Sequence, residues 1–310
     1  MSDRRKIVTG LGELLWDLLP SGDRLGGAPA NFAVMASRLG DRGIVASRLG
    51  DDKRGRQALV ALHPLPIDTS FLQSDTAFPT GTVSVSLLHG EPEYTIHEPV
   101  AWDQLAFTPE WQSLAQQTDA VCFGSLAQRS AVARATIQSF LASTRPECVR
   151  IFDVNLRPPF FSTGVIHASL AAATILKLNE SELPRILFLA GLGSFPVADD
   201  EADLCKAARL LFDRFPLRLV CITLGARGSL LVSHESHHRH PGVPADLKDA
   251  IGAGDAFTAA LAHYYLEAAP LPVLNEAGNR WGAWIASHSG AMPALPSEVL
   301  AGITQAIRAV

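Results

Sequence analysis

Apolar runs rich in β-branched residues alternate with alanine-rich segments of helical period along most of the chain. The clearest runs predict buried strands, at residues 7–15, 44–49, 120–124, 149–155, 174–178 and 219–224. A helical candidate follows each of them, and this order is typical of parallel strands joined by crossover helices. The pattern therefore predicts an α/β protein with a mostly parallel central sheet.

Two stretches break this alternation. Residues 81–99 alternate polar and apolar side chains around a turn, as antiparallel hairpins do, and residues 228–242 resemble another hairpin. A two-faced ribbon outside a parallel sheet is a candidate lid, and we place it mainly at residues 12–20 and 80–100. The chain of 310 residues shows no internal repeat, low-complexity tract or linker, so we predict one domain over residues 1–310.

Charge and cysteine usage restrict the partners and the compartment. The net charge is −5, and no stretch combines clustered Lys and Arg with aromatic residues, so we expect no nucleic-acid partner. The four cysteines lack a C-x-x-C pair, which favours free thiols in a reducing compartment. No apolar leader precedes the first strand, and the most apolar long stretch, residues 165–178, contains His167 and Lys177. We therefore expect a cytoplasmic protein without a membrane span.

The stretch KDAIGAGDAF, residues 248–257, places Gly-Ala-Gly directly before an aspartate. Gly252 and Gly254 can adopt backbone angles that let successive N–H groups, including that of Ala253, point at one spot. A helix that begins near Asp255 adds the positive end of its dipole there. Such an anion hole would hold a phosphoryl group, and Asp255 beside it would accept a proton from an attacking alcohol. The alternative interpretation is that Asp255 only caps the helix.

The stretch GGAPAN, residues 26–31, brings two glycines against the start of a mostly apolar helix that stops at Gly40. Asn31 lies in its first turn and offers both a donor and an acceptor, as a sugar hydroxyl requires. Asp17 lies upstream, at the end of the predicted first strand, where open parallel sheets gather ligand contacts. A capped helix without a ligand is the alternative. Neither a P-loop nor a dinucleotide-binding G-x-G-x-x-G follows a strand in this chain.

Seven stretches, taken together, resemble the ribokinase-like sugar kinases, and most of all the bacterial fructokinases. In chain order they are GELLWDLLP, GGAPAN, FDVNLR, KLNESE, TLGARGS, DAIGAGDAF and NRWGAWIASHSGAMPALP. The resemblance covers almost the whole chain. It implies a ribokinase-like three-layer sandwich with a small β lid, assembled as a homodimer, that binds ATP, Mg²⁺ and a small sugar.

The resemblance also implies roles for individual residues. Asp255 matches the catalytic base, and the anion hole is matched by Gly252, Ala253 and Gly254. The positions that bind the sugar or lie near the transferred phosphate are matched by Asp17, Gly27, Asn31 and Arg157. The positions that hold the nucleotide, its phosphates or the water shell of Mg²⁺ are matched by Asn179, Glu182, Thr223, Gly225, Gly228, Asn279 and Ala283. Mg²⁺ keeps most of its waters, so we expect Glu182 to act on it partly through water.

One position departs from the family pattern. The family usually has Asp-Thr before x-Gly-Ala-Gly-Asp, whereas this chain has Asp249 followed by Ala250. In the family that aspartate helps to bind a monovalent cation, commonly K⁺. The loss of the threonine hydroxyl leaves both outcomes open here, a K⁺ site at Asp249 or none.

The resemblance predicts an ATP-dependent kinase that phosphorylates a hydroxymethyl group, with fructose as the expected sugar. The alternatives are a 2-keto-3-deoxygluconate kinase or another sugar kinase of the family, and a non-catalytic sugar or nucleotide sensor. Two further features of the sequence have simpler interpretations. We expect the histidines of HESHHRH, residues 234–240, to lie in a solvated loop rather than to bind a metal. For Trp102 we favour packing over a role in shielding the sugar.

Overall fold

The structure is a computed structural model that describes residues 4–19, 22–88, 91–194 and 200–310. Its strands are β1 (Ile7–Leu11), β2 (Leu15–Leu19), β3 (Gly22–Gly26), β4 (Arg42–Gly50), β5 (Leu72–Asp75), β6 (Gly81–Leu88), β7 (Glu91–Ile96), β8 (Ala120–Phe123), β9 (Val149–Asp153), β10 (Ile175–Asn179), β11 (Leu219–Thr223), β12 (Ser229–Ser233) and β13 (His237–His240). Its α-helices are α1 (Ala28–Arg38), α2 (Lys53–Leu62), α3 (Pro109–Gln117), α4 (Ala131–Ala142), α5 (Thr163–Ala172), α6 (Leu183–Leu189), α7 (Glu201–Arg214), α8 (Ala253–Leu266), α9 (Leu271–Ala286) and α10 (Ser297–Arg308).

Within those ranges, one large sheet has nine strands in the order β13-β12-β11-β10-β9-β8-β1-β4-β5. All neighbouring pairs from β11 to β5 are parallel, and β12 and β13 join antiparallel at one edge. Strands that are covered on both faces need apolar side chains on both faces. This is why β1 and β8 are buried along their whole length. The predicted mostly parallel central sheet is confirmed.

Helices cover both faces of this sheet. Helices α3 to α7 pack on one face, through side chains such as Trp111, Phe140 and Leu204. Helices α1, α8, α9 and α10 pack on the other face, through side chains such as Phe32 and Trp281. The strands supply the two cores with alternate residues, because successive side chains of a strand point to opposite faces. The result is the expected three-layer sandwich.

A second sheet of four described strands, in the order β3-β2-β6-β7, forms the lid. Strands β6 and β7 pair antiparallel, which confirms the hairpin predicted at residues 81–99, although its turn at residues 89–90 lies outside the described residues. Strand β2 pairs parallel with β6 and antiparallel with β3. Residues 22–26 therefore belong to this lid sheet, and the predicted lid segments had omitted them.

The predicted first strand was wrong at its end. It was expected to run over residues 7–15, but β1 ends at Leu11, and β2 leaves the large sheet for the lid sheet. Asp17 accordingly lies in the middle of a lid strand rather than at the end of the first strand. Leu11, Leu14 and Leu15 are all buried, so the apolar run continues through the point where the chain passes from one sheet to the other and does not mark the end of β1.

The second predicted hairpin is confirmed. The solvated loop predicted at residues 234–240 is confirmed for the exposed turn at residues 234–236 and is wrong for residues 237–240, which form a strand. Strand β13 pairs with β12 and forms the edge of the large sheet. His240 is buried, with Nε2 2.7 Å from Oε2 of Glu276, and the ring of His234 lies 4.4 Å from that of Phe212. Edge-strand pairing turns alternate histidines toward the helices. The described ranges contain no group of three His, Cys, Asp or Glu side chains placed to hold a metal ion.

Two other expectations concern buried side chains. All four cysteines are free and buried. Trp102 is buried in the core, where the guanidinium carbon of Arg129 lies 3.9 Å from the centre of its ring, and this arrangement fits the packing interpretation. No helix in the described part of the chain has both the length and the apolar character needed to cross a bilayer.

Candidate active site

The predicted site residues gather at the carboxyl-terminal edge of the large sheet. Asn179 ends β10 and Thr223 ends β11, while Arg157 follows β9 after a turn at Asn155, whose φ is 41°. Asparagine tolerates this left-handed conformation better than most residues. The lid strand β2 and the amino terminus of α8 approach the same edge, so residues far apart in sequence come together there.

Helix α8 begins as the glycine pattern predicts. Gly252 is its N-cap with φ 80°, a left-handed conformation that favours glycine. A Cβ on Gly254 would lie 2.9 Å from Nζ of Lys177, so no larger residue fits without displacing that lysine. Ala253 departs from the predicted three-amide nest, because its N–H already donates to the carbonyl of Ala250 at 3.2 Å. Among the described residues, we find no protein acceptor for the N–H groups of Gly252 and Gly254.

Asp255 is joined directly to the predicted sugar-binding segment. Its Oδ2 accepts a hydrogen bond from Nδ2 of Asn31 at 2.7 Å, across 224 residues of sequence. This contact is possible because α1 and α8 pack side by side on one face of the sheet. Asn31 is 6% exposed, and its Oδ1 has no hydrogen-bond partner in the described part of the chain. The Asp255 carboxyl group and the Asn31 amide are therefore hydrogen-bonded to each other, and Oδ1 of Asn31 remains available as an acceptor for a ligand.

Burial, and after it the charge of the nearby Asp153 carboxylate, raises the pKa of Asp255 to about 6. Asp153 lies below the amino terminus of α8, where its oxygens are 3.0 and 3.1 Å from Nζ of Lys177. Thr258 donates a hydrogen bond to Asp153 at 2.9 Å from within α8. Burial alone would lower the pKa of Lys177, but the charge of Asp153 outweighs it, and the net shift is upward. The lysine therefore stays charged beneath the predicted anion hole.

The other predicted sugar-binding residues border the same region. Gly27 is the N-cap of α1, one turn before Asn31. Burial raises the pKa of Asp17, and the positive charge of Arg157 opposes that shift. The same arginine lowers the pKa of Asp255, so its guanidinium lies close enough to act on both carboxyls. The structure thus brings Asp17, Asn31, Arg157 and Asp255 into one electrostatic neighbourhood.

Glu13 belongs to this neighbourhood and was not predicted. It lies in the bend between β1 and β2, is 6% exposed, and has an Oε2 without a hydrogen-bond partner among the residues described. Burial raises its pKa to about 7, and the charge of Asp255 raises it as well. The signal was present in GELLWDLLP, where a single carboxyl group stands just before a buried apolar pair.

On the nucleotide side, Asn179 and Glu182 hold the backbone at the end of β10. The two carboxylate oxygens of Glu182 accept hydrogen bonds from the N–H groups of Leu156 and Asn179, each at 2.9 Å. In return, Oδ1 of Asn179 accepts from the N–H of Glu182 at 3.0 Å and from Oγ of Ser181 at 2.6 Å. This reciprocal pair fixes the loop after β9 against the loop after β10.

The remaining nucleotide-side residues follow β11. Thr223 ends that strand, and Gly225 and Gly228 flank a short turn before β12. Asn279 is 8% exposed, and its Nδ2 donates to Oγ of Ser229 at 2.7 Å and to Oδ1 of Asn275 at 2.9 Å. The amide nitrogen of Asn279 is therefore engaged by protein acceptors, whereas the family resemblance implied that this residue helps to hold the nucleotide. Ala283, one turn further along α9, is partly exposed.

Asp249 was expected near a monovalent cation, and its carboxylate is already engaged by protein donors. Oδ1 accepts a hydrogen bond from the N–H of Ile251 at 3.0 Å. Oδ2 accepts from the N–H of Gly290 at 3.0 Å and from Nη1 of Arg24 at 3.0 Å. An arginine from the lid thus already pairs with this carboxylate.

Comparison with known proteins gives consistent matches over nearly the whole chain. A model of the pfkB family of carbohydrate kinases matches residues 22–298. A fructokinase of Klebsiella pneumoniae is 33% identical over 307 residues, which cover 92% of this chain and 95% of that protein. The solved structure of a Vibrio cholerae fructokinase in a fructose, ADP and calcium ion bound form has a TM-score of 0.79 at 27% identity, covering 97% of this chain and 99% of that one.

A sugar kinase of Pyrococcus horikoshii, solved in complex with ATP, has a TM-score of 0.76 at 27% identity and covers 92% of this chain and 94% of that one. The two structural matches cover 97% and 92% of this chain. They confirm the ribokinase-like fold that the sequence resemblance implied.

Proposed function

Because this chain belongs to the pfkB family of carbohydrate kinases, we propose that it transfers the γ-phosphoryl group of ATP to a hydroxymethyl group of fructose. The observation that carries this proposal is the position of Asp255. Its carboxylate lies at the amino terminus of α8 and is tied to Asn31 of the sugar-binding segment by a 2.7 Å hydrogen bond. A carboxyl group with a raised pKa is suited to accept the proton of an alcohol near neutral pH.

The proposed reaction uses few groups. Asp255 takes the proton of the sugar hydroxyl as the hydroxyl oxygen attacks the γ-phosphorus atom. The bond from that phosphorus to the β,γ-bridging oxygen breaks, and ADP is released. The N–H groups of Gly252 and Gly254 and the positive end of α8 stabilise the charge on the transferred group, and each preorganised donor typically contributes about 3 to 4 kcal/mol. Arg157, which follows β9 at this edge, adds a planar cation for the phosphoryl oxygens. Positioning and electrostatic stabilisation then account for most of the rate, as in other phosphoryl transfers.

The side chains at the end of β10 fit a hydrated Mg²⁺. Each oxygen of Glu182 accepts one backbone N–H, and a carboxylate oxygen has a further lone pair. Mg²⁺ dehydrates reluctantly and keeps several waters. We therefore assign Glu182 and Asn179 to the water shell of the ion, which supplies charge neutralisation for the phosphates when it is bound. Thr223, Gly225 and Gly228 would line the nucleotide.

The charges of the sugar side favour a neutral sugar over 2-keto-3-deoxygluconate. Three carboxyl groups, those of Glu13, Asp17 and Asp255, lie there, and Arg157 opposes them. The lid also carries Arg24, but its guanidinium is paired with Asp249. A substrate carboxylate would meet net negative charge and unpartnered acceptors, whereas sugar hydroxyls would donate to those acceptors. The fructokinase relatives support the same choice.

The deciding experiment is a coupled assay of ATP turnover with Mg²⁺ present. Fructose, ribose, tagatose, 2-keto-3-deoxygluconate and nucleosides are compared as acceptors, with a reaction lacking acceptor and a reaction containing EDTA as controls. We expect the highest kcat/KM with fructose and little turnover in either control. A higher kcat/KM with 2-keto-3-deoxygluconate would overturn the assignment of a neutral sugar. Binding of sugar without any turnover would favour the sensor alternative.

A further inference from the structure

The lid sheet makes a charged contact with the loop that leads into α8. Arg24 lies on β3, directly opposite Asp17 of β2 in the register of the lid sheet. Its Nη1 is 3.0 Å from Oδ2 of Asp249, a residue 225 positions further along the chain. The contact therefore spans the gap between the sheet expected to cover the sugar and the loop expected to hold the phosphoryl group.

Asp249 determines the shape of that loop. Besides Arg24, it accepts the N–H of Ile251 within the loop and the N–H of Gly290 from the neighbouring segment, both at 3.0 Å. The loop is pressed against this segment, because a Cβ on Gly252 would lie 2.4 Å from Cβ of Ala291. Rotation of the Asp249 carboxylate would break these hydrogen bonds, one of which lies in the turn that leads to Gly252 and Gly254.

The positive charge of Arg24 compensates the negative charge of Asp249. Without it, Asp249 would add a second bare carboxylate next to Asp17, whose pKa Asp249 already raises. ATP phosphates approaching the amino terminus of α8 would then meet uncompensated negative charge. The side chains of Arg24 and Asp249 are 37% and 18% exposed, so water can reach the pair and it can separate when the lid moves.

We propose that Arg24 is a positioning residue whose salt bridge to Asp249 couples closure of the lid to the geometry of the loop at residues 249–252. This inference deepens the proposed sugar kinase function and rests on it. In the closed arrangement the bridge neutralises Asp249 and holds the loop in the conformation that presents the anion hole. When the lid opens, the loop loses this support, so phosphoryl transfer is favoured only when the sugar is covered.

The lid offers a matched control in the neighbouring residue. Asp23 precedes Arg24 on β3, and successive strand residues point to opposite faces of a sheet. Asp23 pairs with Arg54 of α2 at 3.3 Å, and both side chains are more than 40% exposed (42% for Arg54 and 48% for Asp23). Arg54→Gln therefore removes one ion pair from the same strand without touching the loop that precedes α8.

The test is a double-mutant cycle in the full chain with Arg24→Gln, Asp249→Asn and both together. We expect each single variant to lower kcat by about 10- to 100-fold, because small displacements of catalytic groups have effects of this size. The KM for sugar should change only a few-fold. The double variant should be no slower than the worse single variant, since contacting residues are not additive. Arg54→Gln should keep the kcat of the parent protein, and Arg24→Lys should restore part of the loss.

Additive losses in the cycle, or an equal loss in Arg54→Gln, would overturn the coupling. Hydrogen exchange of residues 249–254 measures the same contact without catalysis. It should speed up in Arg24→Gln and stay unchanged in Arg54→Gln, and unchanged exchange in Arg24→Gln would also overturn the proposal. A parent protein without turnover on any sugar would refute the proposed function, while the exchange rates would still decide whether Arg24 holds the loop.

Discussion

The proposed sugar side and the proposed nucleotide side of the site differ in how their polar groups are satisfied. On the sugar side, Oε2 of Glu13 and Oδ1 of Asn31 are buried acceptors without a partner among the residues that the structure describes. On the nucleotide side, the polar groups of Glu182 and Asn279 bind other protein groups. A buried polar group left without a partner costs about 1 to 3 kcal/mol. The sugar side is therefore prepared for donors from a ligand, whereas the nucleotide-side side chains mainly hold the backbone in place.

This difference teaches how each ligand should be recognised. Sugar hydroxyls are expected to bind side chains directly, and substitution of those side chains should change sugar affinity. The nucleotide is expected to bind main-chain groups and a hydrated ion, so substitution of one side chain there should act through the fold.

Among the changes that distinguish the two sides, the largest effect is expected on the sugar side. Asn31→Ala removes a hydrogen-bond partner of both the sugar and Asp255, and a hydrogen bond involving a charged group is typically worth about 1.5 to 3 kcal/mol. We expect the KM for sugar to rise by about 10- to 100-fold, while the KM for ATP stays within about threefold, both measured by steady-state kinetics. An equal rise for the two substrates would place the sugar elsewhere and remove the contrast.

The pH dependence should report the carboxyl groups of the sugar side. The base must be ionised to accept a proton, and the pKa of Asp255 is raised to about 6. We therefore expect kcat/KM for sugar to be level at high pH and to fall by about tenfold per unit once the pH drops below that value. Glu13, with a pKa of about 7, interacts with Asp255, so the fall should be broadened over the two coupled groups. A profile that stays flat down to pH 5 would contradict the assignment of the base.

A smaller effect on turnover is expected from Asn279→Ala. This change breaks a buried cluster that includes Ser229 and Asn275. We expect the free energy of unfolding, from urea denaturation, to fall by about 1 to 3 kcal/mol. The KM for ATP should rise only a few-fold. A large rise in that KM with unchanged stability would show that Asn279 contacts the nucleotide, and would end the contrast between the two sides.

The smallest effect is expected from monovalent cations. The carboxylate of Asp249 already accepts hydrogen bonds from Arg24, Ile251 and Gly290. Replacing K⁺ by tetramethylammonium at constant ionic strength should therefore leave the turnover rate nearly unchanged. Strong activation by K⁺ would mean that Arg24 gives way to the ion.

The sequence predicted the phosphate side of the site better than the lid. Gly252 and Gly254 carry their own conformational signal, because a left-handed N-cap and a close approach to Lys177 both require glycine. The helical pattern of α8 is a local signal in the sequence, and the sequence also shows that this helix begins directly after Gly252. The pairing of Asp255 with Asn31 depends on α1 packing beside α8, and no local pattern encodes such a contact between distant segments.

The wrong predictions concern segments whose structure depends on which strand they pair with. Residues 7–15 form one apolar run, but the first part pairs in the large sheet and the last residue begins a lid strand. Strand β3 is short and polar, so its sequence does not predict a strand, and only its pairing with β2 in the structure identifies it as one. His238 and His240 face α9 because β13 joins the edge of the sheet, whereas His237 points the other way and pairs with Glu201 of α7. Glu13 was visible in the sequence, but its importance follows from a burial that the sequence does not state.

The most direct test of the account is the variant Asp255→Asn, studied by calorimetry and by turnover in the same preparation. The amide keeps the size of the side chain and removes the base. We predict that kcat falls by about 100- to 10,000-fold while the dissociation constant for the sugar stays within about threefold. Turnover that survives this substitution would contradict the claim that the Asp255 carboxylate accepts the proton of the sugar hydroxyl.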